Sequence, residues 1–202
     1  MAEPQLTIDA RVSPLAHLEE RMRAAAVTGP RGVALTERPF LTMVNVRVAP
    51  ASEAADRIGL ALGAPLPGRC GQTAASGPHT VCWLGPDEWL VVSHDEGVLA
   101  GLREALAGAP GSVVDVSAHR TTLELSGPSA RQVLEKGCPL DLHPRVFGPG
   151  QAMQTTVGPV AVLLWQVDEQ PTYRLLPRSS FADHLARRLI DAMSEYGGPE
   201  LP

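Results

Sequence analysis

A serine, an aspartate and a histidine stand close together in the segment from Asp115 to His119. Acyl-transferring hydrolases use these three residue types as nucleophile, orienting acid and base. They assemble them from distant segments, however, and this sequence has no Gly-x-Ser-x-Gly nucleophile elbow. We therefore interpret the segment as a polar turn in which Asp115 and Ser117 satisfy backbone donors. A stand-alone hydrolase that uses Ser117 and His119 is kept as an alternative hypothesis.

The densest group of reactive side chains lies in the segment 138–145, which reads CPLDLHPR. The Cys, Asp and His at positions 138, 141 and 143 are possible metal ligands, but no fourth ligand is near them. Pro139 and Pro144 restrict the backbone, so a rigid loop is predicted, and such loops often form interaction surfaces. The alternative is that Leu140 and Leu142 fold back onto the core of this chain. The candidate partner interface consists of Cys138, Pro139, Leu140, Asp141, Leu142, His143 and Arg145.

Other arrangements that bind cofactors or metals are missing from the sequence. It contains neither G-x-G-x-x-G after a predicted strand nor G-x-x-x-x-G-K-[ST]. Its six histidines include no pair three or four residues apart, and its three cysteines are widely separated. Asp87 and Glu88 are neighbours at the start of a predicted strand, where adjacent side chains point to opposite faces. The sequence therefore predicts no catalytic, cofactor-binding or metal-binding residue in this chain.

The composition is that of a folded protein with a core of Leu, Val and Ala. The chain has 202 residues, of which 44% are apolar, and a formal net charge of −5. Lysine and arginine do not cluster, which argues against nucleic acid as a partner. The N-terminal MAEPQLTIDARV lacks the apolar run of a signal peptide, and the apolar stretch 160–165 is too short to span a membrane. A cytoplasmic protein without membrane contact is the expectation.

Hydrophobic periodicity and turn residues predict alternating helices and strands. We expect Ser13 and Pro14 to begin the first helix and Ser52 to cap the second. The stretch 64–79 is rich in Gly, Pro and small residues and is predicted to be a loop. The predicted helices are 14–26, 53–62, 96–107, 129–136 and 180–193, and the predicted strands are 32–37, 41–48, 80–84, 88–92, 113–116, 121–125, 152–157, 160–166 and 172–176.

Residue periodicity also predicts which side chains share a face within two of these elements. In the strand 41–48 one face carries Leu41, Met43 and Asn45, and the other carries Val44, Val46 and Val48. In the helix 180–193 one side carries Phe181, Leu185, Leu189 and Met193.

The order of these elements contains a pseudo-repeat with an offset of roughly eighty residues. Each unit is read as strand–helix–strand–strand–helix, which predicts an α+β fold whose two units share a core or exchange strands. The expected organisation is a flexible arm (1–12), one compact α+β unit (13–196) with sub-halves at 13–117 and 118–196, and a frayed tail (197–202).

Several segments together resemble the gamma-subunit family of heterotetrameric sarcosine oxidases, over about residues 13–193. They are SPLAHL at 13–18, LGPDEWLVV at 84–92, VVDVS at 113–117, RTTLELSGPSARQVLEKGCPLDLHP at 120–144 and the helix 179–192. The resemblance extends distantly to the folate-binding T-protein of the glycine cleavage system. Lys136-Gly137-Cys138 is also similar to the K-G-C motif of a folate-dependent iron–sulfur assembly relative. In that relative an aromatic residue and Gly-Gln-Glu follow the motif, whereas here Pro-Leu-Asp follows it. This difference weakens the argument for a redox or folate role of Cys138.

The resemblance implies a T-protein-like, folate-binding-domain-like fold and a non-catalytic structural role in a sarcosine oxidase complex. In that complex larger alpha and beta flavoprotein subunits and a small delta subunit would be the partners, and they would hold FAD, FMN, NAD, zinc and tetrahydrofolate. Sarcosine would be demethylated oxidatively to glycine there, with peroxide formation and one-carbon transfer to tetrahydrofolate. The alternative is a stand-alone folate-binding aminomethyltransferase-like protein.

Overall fold

The computed structural model describes residues 11–198, so most of the predicted arm and residues 199–202 of the predicted tail lie outside the described part. Between these limits the chain forms ten strands, five α-helices and two short 3₁₀ turns. The strands are β1 (Ala34–Glu37), β2 (Thr42–Val48), β3 (Gly71–Ser76), β4 (His79–Gly85), β5 (Glu88–Ser93), β6 (Gly111–Asp115), β7 (Leu123–Ser126), β8 (Gln151–Val157), β9 (Val160–Gln166) and β10 (Thr172–Pro177). The helices are α1 (Glu19–Ala24), α2 (Glu53–Leu62), α3 (Val98–Leu106), α4 (Ala130–Glu135) and α5 (Ser179–Met193).

The ten strands form one sheet in the order β1-β7-β10-β9-β8-β3-β4-β5-β2-β6. This order is symmetric about the contact between β8 and β3, because β7 to β10 in one half occupy the places of β2 to β5 in the other. The α+β fold with two repeated units is confirmed. Each unit has three strands between its two helices, however, so the predicted pattern strand–helix–strand–strand–helix lacks one strand. The individual predictions gave all three strands in the second unit and only two in the first.

The two units exchange their outermost strands. β1 precedes the first unit but pairs with β7 of the second, with Leu35 opposite Leu125. β6 precedes the second unit but pairs with β2 of the first, with Val46 opposite Val113. Each half of the sheet is therefore completed by a strand that is adjacent in sequence to the other half.

The strand β3 is the element that the sequence analysis missed, because it lies within the predicted loop 64–79. Its residues, GQTAAS, have low strand propensity, and Gly71 has a φ of +83°. Its position between two other strands compensates, since it pairs with β4 on one side and with β8 on the other. Thr73 also donates its hydroxyl hydrogen to the carbonyl oxygen of Gly150. Backbone hydrogen bonds on both edges therefore stabilise β3 as a strand despite the low strand propensity of its residues.

The first predicted helix, 14–26, is shorter in the structure. Residues Ala16–Leu18 form a 3₁₀ turn and only Glu19–Ala24 is α-helical. Ser13 does not cap this helix, since its hydroxyl donates instead to Glu37 at 2.6 Å. The predicted cap of α2 is confirmed, because Ser52 Oγ accepts a hydrogen bond from the amide of Ala55 at 3.2 Å.

The turn at Ser126-Gly127-Pro128 requires a glycine for a steric reason. Gly127 has a φ of +113°, and a β-carbon there would lie 2.6 Å from the carbonyl oxygen of Gly32. The same carbonyl accepts a hydrogen bond from the amide of Ser129 at 3.1 Å, just before α4 begins. The glycine therefore lets the segment before β1 pass directly against the start of α4.

The residues between 11 and 198 form three apolar clusters. One joins α1, α4 and α5 to the outer face of the second half of the sheet, and another joins α2 and α3 to the outer face of the first half. The third lies where the inner faces of the two halves meet, and we call it the inter-half core. It contains Leu41, Met43, Cys82, Leu90, Val92, Ala152, Leu163, Trp165 and Leu176. Strand alternation separates the clusters, because Val44 and Val46 face the helices while Met43 faces the other half, as the pattern predicted.

A partly buried carboxylate lies on the inner face of the second half. Glu124 on β7 accepts hydrogen bonds from Arg38 at 2.8 Å and from Arg174 at 3.0 Å, and its side chain is only 11% exposed. The Arg174 guanidinium also lies 4.9 Å from the ring of Trp165. Burial alone would raise the pKa of Glu124, but the two arginines outweigh it and the pKa is lowered.

We expect Glu124→Gln to destabilise the protein by roughly 3 kcal/mol, because it leaves two arginines without a counter-charge. Urea unfolding would measure the loss. Asp87→Asn is the matched control, since the Arg47–Asp87 pair is about half exposed and its loss should cost under about 1 kcal/mol.

The stability difference between wild type and Glu124→Gln should also depend on pH. Because the folded-state pKa of Glu124 is lowered, its stabilising effect is complete above the ordinary glutamate pKa and is lost as pH falls through the folded value. The stability gap between wild type and Glu124→Gln should therefore narrow in acid. A gap that is constant from neutral pH to strongly acidic pH would contradict this account of the network.

Candidate partner interface

The loop 138–145 lies between α4 and β8, and its apolar residues point inward. Leu142 is 1% exposed and Cys138 8%, and both belong to the helix-side core of the second half. Leu140 is half-buried and packs against the same cluster. Both leucines therefore contact this chain's own core, Leu142 completely and Leu140 in part, as the alternative interpretation expects. Cys138 and Leu142 are not available to a partner in this fold.

The remaining predicted interface residues form an exposed, internally hydrogen-bonded turn. The amide of His143 donates to Asp141 Oδ1 at 2.9 Å, and the amide of Arg145 donates to His143 Nδ1 at 3.2 Å. Pro139 and the Arg145 side chain are exposed, and so is Val146, which the sequence analysis did not select and which is 59% exposed. The loop thus presents a cation and an apolar side chain on a backbone that its own side chains hold in place.

The possible ligands at positions 138, 141 and 143 are not brought together. Cys138 Sγ is inside the core, 3.9 Å from the hydroxyl of Thr155, whereas Asp141 and His143 are on the surface. Within residues 11–198 no group of three or more His, Cys, Asp and Glu side chains is arranged to hold a metal ion. Cys82 is fully buried in the inter-half core, where burial raises the pKa of its thiol to about 12.

The segment Asp115 to His119 forms a turn that begins at the end of β6 and leads toward β7. Ser117 donates its hydroxyl to Asp115 Oδ1 at 2.6 Å and its amide to the same oxygen at 2.9 Å. The hydroxyl oxygen accepts a hydrogen bond from the amide of Met43 at 2.9 Å. These bonds from Ser117 lower the pKa of Asp115. Among the hydrogen bonds of the described residues, none joins the His119 ring to Ser117, and the arrangement matches the polar-turn interpretation.

The paired carboxylates at the start of β5 are also separated by the structure. Asp87 is in the turn before the strand and contacts Arg47 at 3.1 Å. Glu88 accepts a hydrogen bond from the side-chain amide of Asn45 at 2.8 Å. The two side chains therefore have different partners and do not converge on one site.

The structure reveals a surface feature that sequence reasoning missed, a groove of about 880 Å³ between the two halves of the sheet. We call it the inter-half groove. Residues of the segments 11–14, 40–42 and 115–121 line it, together with Glu96, Leu99 and Ser179. Phe40 is 44% exposed and Val12 83% exposed at this groove. The groove brings together segments that are distant in sequence, so periodicity within one element could not reveal it.

Comparison with known proteins gives consistent relationships over almost the whole chain. The sequence profile described as sarcosine oxidase, gamma subunit family matches residues 47–195. The sarcosine oxidase subunit gamma of Corynebacterium sp. (strain U-96) is 45% identical over 193 residues, which is 95% of this chain and 94% of that protein. That of Arthrobacter sp. is 47% identical over 191 residues, which is 94% of this chain and 93% of that protein.

Solved structures show the same relationship. A chain of the heterotetrameric sarcosine oxidase from Corynebacterium sp. U-96, in complex with pyrrole 2-carboxylate, superposes with a TM-score of 0.92 at 44% identity. The match covers 95% of this chain and 99% of that one. The aminomethyltransferase T of the glycine cleavage system from Bartonella henselae gives a TM-score of 0.64 at 16% identity, over 89% of this chain and 57% of that one.

The similarity to the aminomethyltransferase concerns the fold alone, and it confirms the predicted T-protein-like architecture. Among the helices of residues 11–198, none has the length and apolar character needed to cross a membrane. The match of the family profile to most of the sequence and the near-complete coverage at 45–47% identity establish the relationship. The chain therefore belongs to the sarcosine oxidase gamma subunit family.

Proposed function

We propose that this chain is the structural gamma subunit of a heterotetrameric sarcosine oxidase and carries no catalytic residue itself. The observation that supports this most directly is the superposition on a chain of the Corynebacterium enzyme, at a TM-score of 0.92 with nearly complete coverage of both chains. A stand-alone aminomethyltransferase is less well supported, because the relatives of high identity are gamma subunits and the likeness to the T-protein is limited to the fold.

The proposed partners are the larger alpha and beta flavoprotein subunits and the small delta subunit of the same complex. On this proposal FAD, FMN, NAD, zinc and tetrahydrofolate are held by those subunits in the cytoplasm. The complex demethylates sarcosine oxidatively to glycine, forms peroxide and transfers the one-carbon unit to tetrahydrofolate. The contribution of this chain is to pack against its partners and keep them in their assembled arrangement.

Co-expression tests the proposal. A tagged form of this chain, produced together with the alpha, beta and delta subunits of the same organism, should retain all three through affinity purification. The purified assembly should release peroxide when sarcosine is added, and the isolated chain should show neither flavin absorbance nor this activity. Purification of the tagged chain alone from the co-expressing cells would contradict the proposal.

We expect His119→Ala and Ser117→Ala to leave the turnover of the assembled complex close to wild type. Ser117 has a structural role toward Met43 and Asp115, so its loss should lower thermal stability, whereas the exposed His119 should tolerate the change. Initial rates of the intact complex provide the measurement. A fall of about a thousandfold without loss of assembly, as expected for a catalytic group, would favour the hydrolase or transferase alternative.

The loop 138–145 and the adjoining Val146 remain a proposed contact with a partner through their exposed side chains. Changing Arg145 to Ala and Val146 to Ser together should weaken co-purification of the larger subunits but leave the melting temperature of the isolated chain unchanged, because neither side chain is buried. Leu142→Ala is the contrasting variant, and it should destabilise the chain by about 2–5 kcal/mol because it opens a cavity in the core. Normal assembly of the double variant would place the contact elsewhere.

A further inference from the structure

The floor of the inter-half groove carries a cation that forms no ion pair with another described residue. Arg120 lines the groove, is partly buried, and donates from Nη1 to the backbone carbonyl of Leu176 at 2.8 Å. Among the ion pairs of residues 11–198, none includes Arg120. A partly buried guanidinium without a carboxylate is costly, since it has lost water without gaining a counter-charge.

The surroundings of Arg120 add positive potential. Its backbone forms an antiparallel bridge with Arg178, which likewise has no ion pair among the described residues. The 15-residue helix α5 begins immediately after Arg178, so its positive end is directed here as well. Burial lowers the pKa of Arg120, the charge of Arg178 lowers it further, and Glu88 acts in the opposite direction.

The acidic groups at and near the groove form their hydrogen bonds with residues other than Arg120. Glu96 accepts from Arg11 at 3.2 Å, and Asp115 accepts two hydrogen bonds from Ser117. Glu88, whose charge acts on Arg120, accepts the Asn45 side-chain amide. The hydrogen bonds to Asp115 and Glu88 come from uncharged donors, but neither carboxylate is hydrogen-bonded to Arg120, so the guanidinium remains able to bind a carboxylate of a partner.

The wall of the groove is apolar and includes a strained residue. Phe40 has a φ of +61°, in the left-handed region that disfavours a residue with a β-carbon, yet it is 44% exposed. Arg11 lies 4.8 Å from its ring, and Val12, Pro14 and Leu99 extend the apolar surface. Burial within this chain does not account for a strained, exposed aromatic side chain, and strain of this kind is often kept where it positions a side chain for binding.

We propose that the inter-half groove receives an acidic segment of a partner subunit, with a carboxylate bound by Arg120 and a neighbouring apolar side chain packed against Phe40 and Val12. This inference rests on the proposed function, because it requires a partner subunit. The local positive charge of Arg120, of Arg178 and of the start of α5 favours an occupant that presents a negatively charged segment. Arginine and aromatic side chains are enriched at the energetic centres of interfaces, and this groove presents one of each.

Two variants of the tagged chain, co-expressed with the alpha, beta and delta subunits, test the groove. Arg120→Met removes the charge but keeps most of the side-chain volume, and it should weaken assembly by about tenfold or more and reduce its dependence on salt. Phe40→Gly removes the anchor and relieves the positive φ. The isolated Phe40→Gly chain should therefore melt at the wild-type temperature or above while its assembly is weakened. Arg69→Gln, an exposed arginine on a loop outside the groove, is the control and should assemble normally.

The outcomes separate this inference from the proposed function. If wild type assembles and both groove variants assemble with unchanged affinity, the inference is wrong and the proposed function stands. If wild type retains no partner, both are wrong. If the isolated wild-type chain dimerises in size-exclusion chromatography and Phe40→Gly makes it monomeric, the occupant is a second copy and the inference is overturned. A lower melting temperature of the isolated Phe40→Gly chain would show that Phe40 supports this chain's own fold, which also overturns it.

Discussion

The pairing of β3 with β8 makes one structure out of two repeated halves. Only Gly71 opposite Ala152 and Gln72 opposite Gln151 are in register there, yet this short contact lies at the centre of the ten-stranded sheet. Small side chains at Gly71 and Ala152 suit it because the inner faces of the two halves converge on the inter-half core nearby. The core, the groove and the placement of the helices on the two outer faces all depend on the halves being joined at this position.

The exchange of β1 and β6 reinforces that junction. The short contact between β3 and β8 alone would leave the halves free to separate along their inner faces. Because each half also contains a strand adjacent in sequence to the other, separation would break the pairing of β1 with β7 and of β6 with β2. Connections from these strands cross between the halves, and Phe40 and Ser117 lie on two of them. The groove residues are therefore anchored in the same segments that hold the molecule together.

Sequence reasoning succeeded where one element determined the pattern and failed where several elements combine. The alternation in β2 correctly placed Met43 on the face opposite to Val44 and Val46, because successive side chains of a strand point to opposite faces of the sheet. In α5 the same reasoning placed Phe181 on the apolar side with Leu185 and Leu189, but Phe181 is 50% exposed because it lies at the first turn, beyond the edge of the core. The strand β3 was missed because its stability comes from partners on both edges and its own residues give no signal. The groove and the inward orientation of Leu142 likewise depend on contacts between distant segments.

The exchanged strands also impose an order on how the chain becomes structured during synthesis. When β1 leaves the ribosome its partner β7 does not yet exist, and Leu35 cannot be paired until Leu125 has been made. The first repeat can complete its own sheet with β6 before the second repeat appears, but β1 stays an unpaired edge with an apolar side chain throughout that interval. Contacts of such long sequence separation slow folding and prolong exposure of that edge to association with other chains. The strand exchange that holds the two halves of the folded subunit together therefore leaves β1 unpaired until β7 has been synthesised.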